Sequence, residues 1–265
     1  MIAAPRVLIL RAPGTNCDEE TAAAFDRAGG IAERVHVNRL IENPALGKRF
    51  QILCFPGGFS YGDDIAAGRI LASRIEHHLG GLVRDFCDQD RLVLGICNGF
   101  QVLMRMGILT TGLPHPAPAT LTWNNHGRFE DRWVYLRRDP DHETPCVFLR
   151  NIDRIDLPMA HAEGKFVTID ASTRSAPAAS GRLALRYSLP DGTTGDDILP
   201  FPHNPNGAEA NVAGICDASG RLFGLMPHPE RHIEPTNHPY WTRRPQQPPT
   251  GDGFQLFLNG VEYFS

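Results

Sequence analysis

Three side chains in this 265-residue sequence have the types and spacing for nucleophilic acyl chemistry: Cys97, His228 and Glu230. Cys97 sits in Leu94-Gly95-Ile96-Cys97-Asn98-Gly99-Phe100-Gln101, with one glycine two positions before it and another two after. That is the spacing of a G-x-S-x-G nucleophile elbow with sulfur in place of oxygen. A tight strand-to-helix turn there presents the side chain at the carboxyl edge of a sheet. The apolar run 91–94 reads as the strand entering the turn, and 100–106, stopped by Gly107, as the helix leaving it. The competing account, a buried structural cysteine beside ordinary turn glycines, leaves that strand–helix context unexplained. A free thiol is only a few per cent thiolate at neutral pH. A helix N-terminus supplies about 0.3–1 kcal/mol, less than one pKa unit, so the nucleophile needs a base.

Met226-Pro227-His228-Pro229-Glu230-Arg231-His232 offers one. Its two prolines hold the backbone extended and remove competing N–H donors. Residues two apart in an extended segment point the same way, so Glu230 can lie beside His228 and fix its tautomer. Taken alone, the His-Pro-Glu run would pass as polar residues beside a loop; next to an elbow it gains a use.

Two other glycine clusters follow strands. Phe55-Pro56-Gly57-Gly58-Phe59-Ser60-Tyr61-Gly62-Asp63 should reach the same sheet edge, where adjacent glycines turn backbone N–H groups outward as an oxyanion hole requires. A bare Gly-Gly is equally an ordinary turn. Pro13-Gly14-Thr15-Asn16-Cys17-Asp18-Glu19 could cradle an anion at a helix start. It is neither GxGxxG nor a Walker loop, so nucleotide binding has weak support, and Cys17 reads as packing.

The elements that must position these blocks alternate through the first 110 residues. Strands are expected over 6–10, 31–37 and 51–55, helices over 18–28 and 65–79, and 86–91 leads into the elbow strand. That order implies an α/β fold with a doubly wound, mostly parallel, flavodoxin-like sheet and helices on both faces. From 121 to 187 the texture changes to short runs such as Arg132-Trp133-Val134-Tyr135-Leu136 and Phe166-Val167-Thr168-Ile169, an appended antiparallel segment. A hairpin joins 212–216 to 222–226, and a last helix spans 254–263. The stretches 170–181 and 237–250 read as loops. One domain over 1–265 accounts for the whole chain.

Composition narrows the class. Hydrophobic residues make up 42% and charged residues 21%, as in an ordinary soluble protein. A net charge of −4 without any Lys/Arg block gives no footprint for nucleic acid. Six scattered cysteines show no CxxC pair and no metal-ligand spacing, which suggests reduced thiols and no metal site. The N-terminal apolar run is too short for a signal peptide and is broken by Pro5 and Arg6, and no stretch approaches a membrane span. A cytoplasmic protein is expected.

The elbow block with the Met226–Arg231 block resembles the class I (triad) glutamine amidotransferases. Arg11-Ala12-Pro13-Gly14-Thr15-Asn16-Cys17, the Pro56–Asp63 block and Asn204-Pro205-Asn206-Gly207 are similar, more narrowly, to the glutaminase subunits of phosphoribosylformylglycinamidine synthases. The resemblance runs from Val7 to Tyr263. It implies that Cys97 is the nucleophile, His228 the base and Glu230 its orienter. It further implies oxyanion N–H groups from Gly58 and Asn98, and glutamine contacts from Gln101 and from His161 and Gly164 in Ala160-His161-Ala162-Glu163-Gly164-Lys165-Phe166. The implied activity is hydrolysis of glutamine to glutamate and ammonia, with no cofactor in this chain. The ammonia would pass to a large synthetase subunit that uses ATP and Mg to make the amidine ribonucleotide of de novo purine (IMP) biosynthesis, with a small accessory subunit in the same complex. Two positions depart from the family's pattern: Ala162 stands where glycine is usual and His126 where serine is expected. Three rivals remain at this level: an amidotransferase subunit of another synthetase, a flavodoxin-like cysteine hydrolase, and a non-catalytic binding module.

Overall fold

Runs that are apolar on both faces, Val7 to Leu10, Ile52 to Phe55, Leu92 to Ile96 and Leu222 to Leu225, form the centre of the sheet, as parallel strands covered by helices must. The computed structural model describes residues 3–110, 118–243 and 248–265. The chain runs β1 (Arg6–Arg11), α1 (Asp18–Arg27), β2 (Ile31–His36), α2 (Val37–Glu42), β3 (Ile52–Phe55), α3 (Arg69–Asp88), β4 (Leu92–Ile96) and α4 (Asn98–Arg105). It continues through β5 (Ala119–Thr122), β6 (Glu130–Arg138), β7 (Arg154–His161), β8 (Lys165–Thr168), α5 (Ala171–Ala179) and β9 (Leu185–Tyr187). β10 (Val212–Cys216), β11 (Leu222–Leu225) and α6 (Phe254–Glu262) close it.

Nine strands form one sheet in the order β2-β1-β3-β4-β11-β10-β9-β6-β7. The first five are parallel neighbours, and the pairings from β11 through β7 are antiparallel. A separate antiparallel pair joins β5 to β8. The expected α/β architecture is therefore present, and the antiparallel segment prolongs the main sheet. Helices α1 and α6 pack together, with Phe25 and Phe257 edge to face at 5.0 Å, while α3 packs with α2 and α4. No described helix is long and apolar enough to cross a membrane.

Some expected elements differ. The helix expected over 65–79 is α3, Arg69–Asp88, because Gly68 sits at φ 72 and interrupts the helical path before it. Phe86 belongs to that helix, in the buried stripe with Leu71, Ile75, Leu79 and Leu82. Val37 begins α2 instead of ending a strand. The stretch expected to be a loop over 170–181 contains α5, whose start is capped by Asp170 accepting from Thr173 N–H at 2.7 Å, and Pro177 sits inside it. Within 237–250 the described part holds a short 3-10 turn, Trp241–Arg243; residues 244–247 lie outside the described residues.

Candidate active site

The site follows from the sheet order. β1, β3, β4 and β11 are side by side, and the block after the carboxyl end of each is one of those singled out above: 12–19, 56–63, 97–101 and 226–232. In doubly wound sheets this edge is where ligands bind.

Cys97 occupies the junction of β4 and α4 at φ 49, ψ −104, a strained conformation for a residue with a Cβ. Its N–H donates to Leu225 O at 2.8 Å, and its carbonyl accepts from Gln101 N–H at 3.0 Å to start α4. The framing glycines are sterically required. A Cβ on Gly99 would collide with Phe55 O, and one on Gly95 would lie 2.6 Å from Leu103 Cδ1. Only 5% of Cys97 is exposed, and its Sγ lies 3.6 Å from Ala160 O.

His228 enters from the other side. Its N–H donates to Pro158 O at 2.8 Å, anchoring it to β7. Its Nδ1 lies 2.6 Å from Glu230 Oε1, and Cys97 shares a side-chain hydrogen bond with the same imidazole. Burial alone would push His228 down; the negative charge of Glu230, then that of Cys97, outweigh it and hold the imidazole well above its ordinary range. The backbone here is not the extended run expected from the prolines. Residues Pro229–Arg231 form a 3-10 turn, and that turn brings the carboxylate to the ring.

Cys17 packs as expected, but against the imidazole. Its Sγ lies 4.0 Å from His228 Nδ1 and accepts from Arg231 Nη2 at 3.2 Å, and burial pushes its thiol up. Ligand atoms of Cys17, His228 and Glu230 lie within 4.8 Å of one another, a spacing a metal ion could use. The Arg231 guanidinium already supplies a cation to that sulfur, which disfavours a second.

Gly58, Phe59, Gly62 and Asp63 of loop 56–63 line the same cavity as Cys97. An isolated bridge pairs Thr15 with Gly58, which sits at φ 143; its hydrogen bonds run from Phe59 N–H to Gly14 O and from Cys17 N–H to Gly57 O, so the N–H of Gly58 is outside them. The Asn98 side chain ties this loop to α4, accepting from Ser60 N–H at 3.1 Å and donating to Asp63 Oδ1 and to Gln101 Oε1, each at 3.0 Å. Gln101 Nε2 donates to Glu163 O at 2.5 Å, so both ends of the Gln101 amide brace the pocket wall.

The cavity opening onto Cys97 has a volume of about 260 Å³. Gly58, Asp63, Gln101, His161 and Glu163 are among its lining residues. His161 is 3% exposed, neither ring nitrogen has a partner, and burial, with the positive charge of His228, lowers its pKa to about 3. Gly164 lets this ring lie against the turn, since a Cβ there would collide with it. The Asn204–Gly207 block is a brace: Asn206 Nδ2 donates to Gly164 O at 2.8 Å, and Asn206 O accepts from Asn125 N–H at 3.1 Å. Ala162, a departure from the family pattern, lines the cavity, and its carbonyl accepts from Asn124 N–H at 2.8 Å. His126 lies on the exposed turn before β6, with Nε2 3.5 Å from Glu130 Oε2. Asp63 and Glu163 close the cavity wall from within the two blocks singled out above, 55–63 and 160–166, although the sequence does not mark either of them individually.

Residues 4–264 match the model of the CobB/CobQ-like glutamine amidotransferase domain. Phosphoribosylformylglycinamidine synthase subunit PurQ of Dehalococcoides mccartyi is 44% identical over 260 residues, covering 97% of each chain. The protein of that name from Methanococcus maripaludis is 37% identical over 274 residues, covering 98% of each. The structure of PurLQS from Thermotoga maritima superposes with a TM-score of 0.71 at 28% identity, over 99% of this chain and 100% of that one. A putative GMP synthase subunit from Thermoplasma acidophilum superposes at a TM-score of 0.57 with 13% identity, over 100% of this chain and 96% of that one, a likeness of fold alone.

Proposed function

Since this chain belongs to the CobB/CobQ-like glutamine amidotransferase family, we propose that it is the glutaminase of a phosphoribosylformylglycinamidine synthase, with Cys97, His228 and Glu230 as its triad. It hydrolyses glutamine to glutamate and ammonia, and the ammonia goes to a synthetase subunit in purine biosynthesis. What carries the assignment of roles is the convergence of Cys97 and the Glu230-paired His228 at the carboxyl ends of adjacent strands β4 and β11.

His228 takes the Cys97 proton, and the thiolate attacks the carboxamide carbon. The oxyanion that forms is held by the backbone N–H groups of Gly58 and Asn98, the latter in the first turn of α4, where such groups have no intrahelical partner. His228 returns the proton to the departing nitrogen, and ammonia leaves a γ-glutamyl thioester. Water attacks the thioester with His228 again as base, releasing glutamate and restoring the thiol. Gln101, His161 and Gly164 shape the wall against which glutamine rests. The chain works as one amidotransferase unit over 1–265 and in the cytoplasm, with no cofactor of its own and no nucleic-acid or membrane partner. Its partners are a large synthetase subunit, which uses ATP and Mg, and a small accessory subunit, by analogy with the Thermotoga maritima PurLQS neighbour.

The test is to treat the full chain with a glutamine-like electrophile and map the adduct. Modification of Cys97 with loss of glutamate release is expected; an adduct at Cys17 or Cys54 in its place overturns the assignment.

A further inference from the structure

The block after β1, residues 12–19, ends against the base, and the mechanism above makes no use of it. Cys17 in that block is fully buried and is held through its backbone on both sides. Its N–H donates to Gly57 O at 3.2 Å, and its carbonyl accepts from Thr21 N–H at 3.2 Å in the first turn of α1. The thiol proton goes to Asn16 Oδ1 at 3.2 Å, which leaves the sulfur to accept. Two cationic or protonatable groups face it: Nδ1 of His228 at 4.0 Å, and Nη2 of Arg231, which donates at 3.2 Å. Arg231 is partly exposed, and its Nε lies 4.0 Å from Glu20 Oε1 on α1, the outer limit of an ion pair. A neutral thiol is a weak acceptor, so the bond from Arg231 adds little stability. What it fixes is where the sulfur and the guanidinium stand relative to the imidazole.

We propose that Cys17 and Arg231 are positioning residues for the base: Arg231 clamps the Cys17 sulfur against the Nδ1 edge of His228, which holds the ring on Glu230 and sets a cation beside that pair. This assignment rests on the glutaminase function proposed above and gives the block after β1 a part in it. Neither residue is among those lining the cavity onto Cys97, so both act through His228 and not on glutamine. The titratable and charged groups around the ring come from several elements. Glu230 and Arg231 share its own turn, Cys17 precedes α1, Cys97 follows β4 and His161 ends β7. Behind them, Cys54 of β3 faces Glu230, and Glu20 of α1 faces Arg231. The two further thiols are held neutral by burial, as is His161. Among these described groups Arg231 is the permanent cation, and it opposes Glu230. A base that must return its proton to the departing nitrogen cannot hold it too tightly. The guanidinium limits how far the carboxylate strengthens that hold.

The test measures glutamate release and the iodoacetamide labelling rate of Cys97 across pH, on the full chain and four variants. Cys17→Ala should lower kcat about tenfold with KM nearly native, because the ring loses a contact while Glu230 still holds it. Cys17→Ser, which keeps a small acceptor for Arg231, should restore most of that loss. Arg231→Gln keeps a donor to the sulfur and removes the charge. Losing a cation favours proton binding at every nearby site, so both limbs of the pH profile should move to higher pH by about half a unit, the scale of one partly screened charge. Arg231→Lys keeps the charge and should keep the native limbs. Native kcat in Cys17→Ala together with native limbs in Arg231→Gln, in a chain that does hydrolyse glutamine, would overturn this proposal and leave the glutaminase function standing. Equal shifts in the Gln and Lys variants would overturn it too, since the charge would then be irrelevant. A Cys17→Ala chain that fails to fold leaves Cys17→Ser and the two Arg231 variants to decide, and native limbs in Arg231→Gln count against the proposal. If the native chain neither releases glutamate nor is labelled at Cys97, the glutaminase function itself falls, and this proposal with it.

Discussion

Nδ1 of His228 lies 2.6 Å from Oε1 of Glu230, and both side chains are buried. The other carboxylate oxygen, Oε2, is buried with no hydrogen-bond partner, so the imidazole is the group to which this carboxylate is hydrogen-bonded. With Nδ1 committed to the carboxylate, Nε2 is the nitrogen left to exchange a proton with Cys97. The two partners therefore contribute unequally. In the proposed roles, removing His228 would end thiolate formation and leaving-group protonation together, whereas removing Glu230 would loosen a ring that Pro158 O still anchors through its backbone. His228→Ala should cost nearly as much glutaminase activity as Cys97→Ala, and Glu230→Ala should be milder by on the order of a hundredfold. Steady-state glutamate release measures both, and negligible effects of both would exclude the triad.

Gly57 allows the close approach of that ring. A Cβ at this position would lie 2.7 Å from His228 Cε1 and 3.0 Å from Cys17 Sγ. Gly57→Ala should displace the imidazole and lower kcat by on the order of a hundredfold, the scale seen when a catalytic group is misplaced by about 1 Å. Thermal unfolding should change little. Gly99→Ala is the contrasting variant: its Cβ meets the backbone oxygen of Phe55, which cannot swing aside, and the fold should lose about 1–3 kcal/mol. A Gly57→Ala enzyme with native kcat would show that the ring has room to spare.

His161 makes stability depend on acid. Burial, with the charge of His228, holds its pKa at about 3, against about 6.5 in an unfolded chain. Between those values the unfolded chain binds one more proton than the native chain at this residue. Stability is therefore complete above about 6.5 and falls as the pH drops toward 3. His161→Asn should remove that contribution and make the acid limb shallower by about 1.4 kcal/mol per pH unit. Urea unfolding across this range reads the slope, and identical slopes in the two proteins would contradict a buried, uncharged imidazole.

Much of the site was legible in the sequence because its signals are steric and local. Gly95 and Gly99 mark the elbow since nothing larger fits against Leu103 and Phe55. The His228–Glu230 pair was also legible, though for an incomplete reason: a 3-10 turn, not an extended strand, sets the 2.6 Å contact. Pro177 hid α5, because a proline in a short Ser/Ala-rich stretch reads as a breaker until the Asp170 cap is seen. Cys17 reads as a packing residue, and only folding shows that it packs on His228, 211 positions away. The blocks that contain Asp63 and Glu163 stand out in the sequence, but their meeting does not, since the cavity that unites them is formed by the turn after β3 and the turn after β7.

Coupling to the synthetase gives the last prediction. Ammonia in bulk water at neutral pH is mostly ammonium, a poor nucleophile, and glutamine hydrolysis without an acceptor wastes substrate. Gly58, proposed above as an oxyanion donor, belongs to a loop bridged to Thr15, and exposed Phe59 adjoins it, so docking of a partner can act directly on that loop. The isolated chain should therefore release glutamate slowly, and the rate should rise several-fold or more when the synthetase and its substrates are added. Cys97→Ala should abolish glutamine-dependent amidine synthesis in the reconstituted complex while leaving synthesis from high ammonium salt nearly intact. Measuring both nitrogen sources on one preparation separates the two half-reactions. Loss of the ammonium-driven reaction in that variant would mean that Cys97 serves the synthetase as well, and that the division of labour between the subunits is wrong.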